Sequence, residues 1–360
     1  MDTFAFIIHP IDPKRDVSRK FPLLGKALSE RQIDFFSTFF PPVYISEITG
    51  IRSESSGKEI KGWFVACPLT PTRMMELPLK TAYRKIIQTG RMAERLGAGM
   101  LGLGAFTSVV GDGGISVARA LEIPVTTGDS YTIAVALQAL RKAAGVMGIH
   151  MPQATAAVVG ATGAIGRVCA DILAREVAEL HLVGKRQPAL AELQRELLDS
   201  GASARLHIST GLEGLRQSQL VLTVTSSKKA IVQPEHLQPG CVVCDVARPR
   251  DVSAQVAAQR PDILVIDGGM VEVPGQVNFN FDFGFPPGKA YACMAETMAL
   301  TLEGRLEDYT LGKKITRSQV NEISAIAGRH GFKLSGFRSF ERAVSQIKIE
   351  RVRQLARAGV

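Results

Sequence analysis

The residues Ala156-Ala157-Val158-Val159-Gly160-Ala161-Thr162-Gly163-Ala164-Ile165-Gly166 run an apolar strand into a glycine loop and then a helix. Each glycine has its own task in such a loop. Gly160 permits the tight turn, Gly163 lets the backbone approach a pyrophosphate, and Gly166 lets the helix pack against the strand. The anion then lies against the unpaired N–H groups at the helix start. Gly160, Thr162, Gly163, Ala164, Ile165 and Gly166 are therefore assigned to a dinucleotide. A glycine motif alone is weak, but this one has the required strand–loop–helix context. The next strand ends in Leu182-Val183-Gly184-Lys185-Arg186, with no acid to hold free ribose hydroxyls. Lys185 and Arg186 suit the 2′-phosphate of NADPH, which an Arg can hold bidentately. The bland alternative is a solvated cation pair. Thr225 and Ser226, past a later strand, are further candidates for cofactor contact, although both are ordinary loop residues.

Cys293 is the candidate reactive group, in Gly288-Lys289-Ala290-Tyr291-Ala292-Cys293-Met294-Ala295-Glu296. It follows a Pro-Pro-Gly break, which predicts the first turns of a helix. There the helix dipole and Lys289 would favour a thiolate. From spacing alone, a Cys in an Ala/Met-rich helix reads more readily as core. Cys241 and Cys244 have the spacing of a metal or redox pair, yet they flank a strand-like run that turns them to opposite faces. No second ligand pair follows, so no metal site is assigned.

The elements that must position these groups fall into an α/β chain of three segments. Residues 1–150 read as a mixed α/β substrate domain, with strands at Phe4–Ile8, Ile45–Ile51, Glu59–Ala66 and Met100–Phe106. A helix is predicted over about 81–97, and Ser130 is a candidate N-cap for a long helix through about Val146. Residues 151–285 alternate strand and helix, the signature of a Rossmann doubly wound parallel sheet. Its strands are Thr155–Val159, Leu180–Val183, Arg205–Ile208, Leu220–Val224, Val242–Val246 and Ile263–Ile266. Residues 286–360 read as C-terminal helices, over about Ala290–Leu302 and Ser318–His330, followed by a basic tail.

An apolar content of 46% and a charged content of 21% exclude a disordered or fibrous chain. No apolar stretch approaches the roughly 20 residues that cross a bilayer, and Met1-Asp2-Thr3-Phe4 lacks an export signal. Five cysteines, an odd number scattered through apolar runs, suit a reducing cytoplasm. The formal charge of +9 fits solubility alone or an acidic partner. No nucleic-acid motif is visible, and peripheral membrane contact is left open.

The chain resembles the long-chain acyl-[acyl-carrier-protein] reductases, from about residue 30 to about residue 335. The resemblance rests on Lys80–Lys85, Gly104–Ser108, Thr126-Thr127-Gly128, Val158–Gly163, Asp267-Gly268-Gly269, Ala292–Glu296 and His330-Gly331-Phe332. It implies that Cys293 is an acyl-accepting nucleophile and that NADPH reduces the acyl-enzyme to a fatty aldehyde. It also implies acidic acyl-carrier protein as acyl donor, acyl-CoA being left open, and in some members an aldehyde-consuming partner. Lys80, Arg84, Arg91 and Arg95 fall within about 60° on a helical wheel and offer such a carrier a docking face; a merely solvated face is the alternative. Ala164, where an acidic residue is expected, the Gly128-Asp129-Ser130-Tyr131 segment and the basic extension depart from the family pattern. Two other readings stay open: a shikimate- or pterin-dehydrogenase-like enzyme with no covalent intermediate, and a non-catalytic nucleotide- or carrier-binding module.

Overall fold

The computed structural model describes residues 1–227 and 229–358. The chain divides into two compact units. The first comprises Met1–Tyr131, Val271–Lys314 and Gln319–Lys333, and the second Thr132–Met270, Ile315–Ser318 and Leu334–Val360. This division cuts across the three expected segments. The helix that carries Cys293 groups with residues 1–131 because it packs on the strands of that unit.

The first unit is built on a mixed six-stranded sheet. β1 (Thr3–Ile8) lies between β3 (Glu59–Ala66) and β4 (Leu101–Leu103), parallel to both, and β5 (Val125–Thr126) extends the sheet beside β4. β2 (Val43–Arg52) runs antiparallel to β3, and Gly275–Asn278 adds the far edge. Helix Ala292–Glu303 packs on β1, β3 and β4. Small residues make this close approach possible: a Cβ on Gly102 of β4 would lie 2.2 Å from Thr297 Oγ1 of that helix. The expected strand Met100–Phe106 stops at Leu103. Thr107 N donates to Gly104 O and Ala105 adopts φ +46°, which turn the chain into the short helix Phe106–Val109.

The second unit is the doubly wound sheet that the alternation predicted. β6 (Thr155–Val159), β7 (Glu179–Val183), β8 (Arg205–Ser209), β9 (Leu220–Thr223), β10 (Val242–Asp245) and β11 (Leu264–Asp267) are all parallel, in the order β11-β10-β9-β6-β7-β8. β6, β9 and β10 are almost entirely buried, which explains their near-continuous apolar sequences. The strand order reverses between β6 and β9, so the crevice of such a sheet opens beyond the carboxyl ends of these two strands.

Candidate active site and nucleotide cradle

Beyond β6 the glycine loop has the geometry its spacing predicts. Gly160 takes φ +90°, and a Cβ on Gly166 would lie 2.1 Å from Gly160 O. Helix Ala164–Leu173 begins at the N-cap Gly163, and no side chain caps it. No side chain takes up its first N–H groups, which suits a pyrophosphate. Thr162, Ala164 and Ile165 line the same turn, each partly exposed. Lys185 and Arg186 follow β7, both exposed, and neither side chain forms an ion pair or hydrogen bond with a described residue, although the Lys185 charge acts on Asp251. The loop past β9 is more constrained than its sequence suggests. Thr225 donates to Asp251 through both its N–H, at 2.8 Å, and its hydroxyl. The Thr225 hydroxyl is thus already committed, while Ser226 is exposed. Burial raises the Asp251 carboxyl to about 6, opposed by those Thr225 bonds. The cradle fits NADPH: bare helix N–H groups, glycines where a Cβ would clash, and two cations where an acid is lacking.

Cys293 is the second residue of helix Ala292–Glu303, as its position after the Pro-Pro-Gly break implied. From Ala292 to Leu302 every residue of this helix is buried except Cys293. The other four cysteines are fully covered. Cys241 lies in the cluster with Val243 and Val265, whereas Cys244 Sγ reaches Ala136 O at 3.8 Å, so this pair faces opposite ways. Among the described residues no group of three or more metal-ligating side chains occurs.

The surroundings of Cys293 come from the end of β5. Gly128, at φ +77°, packs directly against it: a Cβ there would lie 2.3 Å from Cys293 Cα. Asp129 begins the helix Asp129–Met147, and its carboxyl acts on the Cys293 thiol. Glu296, one turn past the cysteine, is buried and accepts from Thr126 Oγ1, from Thr310 Oγ1 at 2.8 Å and from Tyr131 N at 2.8 Å. The Thr310 hydroxyl also meets Ser130 Oγ at 2.6 Å. Ser130 thus lies inside the helix and ties it to Thr310 instead of capping it. Glu296 pins the turn after β5 to the cysteine helix. At the helix's other end, His330 joins Glu303 at 2.7 Å and Ser53 at 2.8 Å.

Burial, with these carboxyls, opposes the expected thiolate. Burial, then Asp129, pushes the Cys293 thiol up to about 12, with Glu296 acting in the same direction. Lys289 does not offset this. It lies in the short strand Lys289–Tyr291, ahead of the helix, and pairs with Glu272 at 3.6 Å. Burial also raises the Asp129 carboxyl to about 7, with Glu296 adding to the rise and Thr127 opposing it. A protonated thiol therefore stands beside a group that can exchange a proton near neutrality. From sequence, Asp129 stands out only within the Gly128-Asp129-Ser130-Tyr131 segment, with no role of its own. Its available signal was its place just after Thr126-Thr127-Gly128, at the carboxyl end of a parallel strand.

The chain is 30% identical over 347 residues to the long-chain acyl-[acyl-carrier-protein] reductase of Synechococcus elongatus, covering 91% of this chain and 98% of that protein. The chain belongs to the long-chain acyl-[acyl-carrier-protein] reductase family. It is also 29% identical to Aminotransferase PigE of a Serratia strain, over 96% of its own length and 41% of that relative, so it spans about two-fifths of that longer protein. Residues 141–267 match the Shikimate / quinate 5-dehydrogenase family, which covers much of the nucleotide-binding unit. Among solved structures, L-tryptophan dehydrogenase from Nostoc punctiforme aligns over 99% of this chain and 88% of its own, at 12% identity and TM-score 0.42. This acyl-[acyl-carrier-protein] reductase relative is thus an NAD(P)-dependent oxidoreductase of Rossmann type. Among the described residues no helix is long and apolar enough to cross a membrane.

Proposed function

We propose that the chain reduces a long-chain fatty acyl thioester to the aldehyde through an acyl-Cys293 intermediate, with acyl-carrier protein as donor. The observation that carries this reading is the exposure pattern of the cysteine helix: between Ala292 and Leu302 only Cys293 interrupts the buried run, against Gly128 and beside Asp129. In acylation, Cys293 sulfur bonds to the thioester carbonyl carbon and the bond to the donor sulfur breaks. The Cys293 proton moves to the Asp129 carboxylate, which returns it to the departing thiolate, so the donor leaves as a free thiol. The glycine cradle with Lys185 and Arg186 would hold NADPH, which would supply the hydride; the aldehyde then leaves as the carbon–sulfur bond breaks and Cys293 regains its thiol. Glu296 positions the turn that bears Asp129. Lys80, Arg84, Arg91 and Arg95 are all exposed on helix Leu79–Arg95, and none pairs with a described residue. That face suits an acidic carrier, and its contribution should weaken as salt screens it over about 8–10 Å.

Intact-mass spectrometry tests the covalent step. Incubation with a long-chain acyl thioester and no NADPH should leave one acyl adduct on Cys293, cleaved by hydroxylamine. Cys293→Ala should still bind NADPH yet form neither adduct nor aldehyde. Substantial aldehyde from Cys293→Ala would favour direct reduction of a bound carbonyl, the dehydrogenase-like alternative.

A further inference from the structure

The segment preceding β2 presents its apolar side outward. Of the fifteen large hydrophobic residues exposed among those described, seven lie between Phe21 and Phe40. Leu23 is 82% exposed, Phe39 69% and Phe35 52%. In helix Glu30–Ser37 the buried positions are Ile33 and Ser37, while Phe35 and Phe36 face out. A helix that covers a serine and bares its aromatics reverses the usual amphipathic arrangement. The rings form one surface, with Phe35 5.3 Å from Phe36 and 5.6 Å from Phe39. A contiguous apolar patch of this kind marks an interaction site far more often than scattered exposure does.

The face is held firmly. Ser29 and Gln32 form a capping box at the helix start. Asp34 accepts from the Thr70 hydroxyl and pairs with Arg73 at 2.9 Å, and Arg73 stands 5.9 Å from the Phe35 ring centre. Asp34 is therefore neutralised from behind the patch. On the exposed side, Lys26 and Arg31 pair with no described residue. Arg31 precedes Phe35 by four residues, so guanidinium and ring share one face of the helix.

We propose that the Phe35–Phe40 face seats the chain on anionic lipid bilayers. The aromatic rings enter the boundary between headgroups and acyl chains, and Lys26 and Arg31 meet lipid phosphate. Charge decides the occupant. Arg31 lies on the ring face, whereas the exposed Glu30 stands at the helix start about 140° round the helix from Phe35, so an anionic surface complements the face that the rings present. The docking rests on this patch alone and stands or falls separately from the chemistry at Cys293.

Vesicle flotation with the full chain tests it, using phosphatidylcholine with and without phosphatidylglycerol. The chain should float with the anionic vesicles, release as salt rises, and bind neutral vesicles at least about tenfold more weakly. Phe35→Ser with Phe39→Ser, and separately Lys26→Glu with Arg31→Glu, should each lower flotation at least about tenfold. NADPH binding and the melting temperature monitor folding in both. The proposal is overturned if the chain stays soluble with both vesicle types, or if neutral vesicles bind it equally. It is also overturned if the Phe variant turns a dimer into a monomer, or if the charge variant loses carrier-protein binding while vesicle binding is unchanged.

Discussion

Two helix starts, one in each unit, use the same element for opposite purposes. Helix Ala164–Leu173 opens on an uncapped turn after a glycine loop, with the exposed Lys185 and Arg186 at the end of the neighbouring strand. Helix Ala292–Glu303 also lacks a side-chain cap, yet it opens beside Asp129, with the buried Glu296 one turn on. Both carry the partial positive charge of a helix amino end. At the first, neighbouring cations reinforce it, and the site suits a phosphate. At the second, burial and carboxyls outweigh it, and the thiol stays protonated. The dipole, worth about 0.3–1 kcal/mol at an ordinary surface site, does not decide the chemistry. Burial and the neighbouring charges do.

The largest expected effect tests whether Asp129 handles the cysteine proton. Asp129→Asn should slow acylation of Cys293 by about 10²–10⁴, the usual loss of a general base. In the native chain, acylation should rise with pH as Asp129 ionises near 7, and that limb should vanish in the variant. Acylation that keeps its rate and its pH profile would mean that Asp129 only fills space. Aldehyde yield alone would not separate these outcomes, so the acylation step must be read by itself.

A second pair of variants asks whether the two helix starts are independent. Gly166→Ala places a Cβ 2.1 Å from Gly160 O, and Gly128→Ala places one 2.3 Å from Cys293 Cα at φ +77°. Overpacking and backbone strain cost about 1–3 kcal/mol each. Gly166→Ala should lose NADPH affinity and keep acyl-adduct formation. Gly128→Ala should do the reverse. Loss of both functions in either variant, with the fold intact by circular dichroism, would break the separation drawn here.

A third test concerns the cations. Replacing Lys185 and Arg186 by neutral residues should shrink the preference for NADPH over NADH by tenfold or more, since a charge-assisted hydrogen bond contributes about 1.5–3 kcal/mol. An unchanged preference would place the 2′-phosphate elsewhere.

The two sites differed in how far they could be read from the sequence, and for a physical reason. The nucleotide loop is a backbone device within consecutive residues 156–166, so glycine spacing and flanking apolar runs disclose it. All six parallel strands of that unit lie within one or two residues of their expected bounds. The cysteine site is assembled from 126–131, 292–296 and Thr310, which spacing cannot bring together. The sequence puts Cys293 at a helix start, but the thiolate that the helix dipole and Lys289 favour is opposed by burial and Asp129, and Lys289 pairs with Glu272. Spacing gives Glu296 no role, because only the fold shows it bound to Thr126, Tyr131 and Thr310. The turn that ends β4 at Leu103 was equally hidden, since it depends on a positive φ at an alanine.

The smallest effect concerns stability and sharpens the contrast at the cysteine helix. The Asp129 carboxyl ionises near 7 in the native chain against an ordinary 3.8. Between these values the folded chain holds a proton that the unfolded chain releases. The stabilisation from this group is therefore full below about pH 4 and is lost as pH rises through 7. Asp129→Asn has no such titration, so its stability should depend less on pH across that window. Above about pH 8 the variant should exceed the native chain by about 1–2 kcal/mol. The gain is held below the full linkage value because Asp129 keeps some exposed surface, and because an ionised Asp129 also benefits from the helix start it occupies. Urea melts of both proteins at about pH 5 and 8 give the difference directly. If the two curves run parallel across this range, Asp129 is an ordinary carboxylate in the folded chain. The cysteine would then stand at a helix start no different in kind from the one at Gly163.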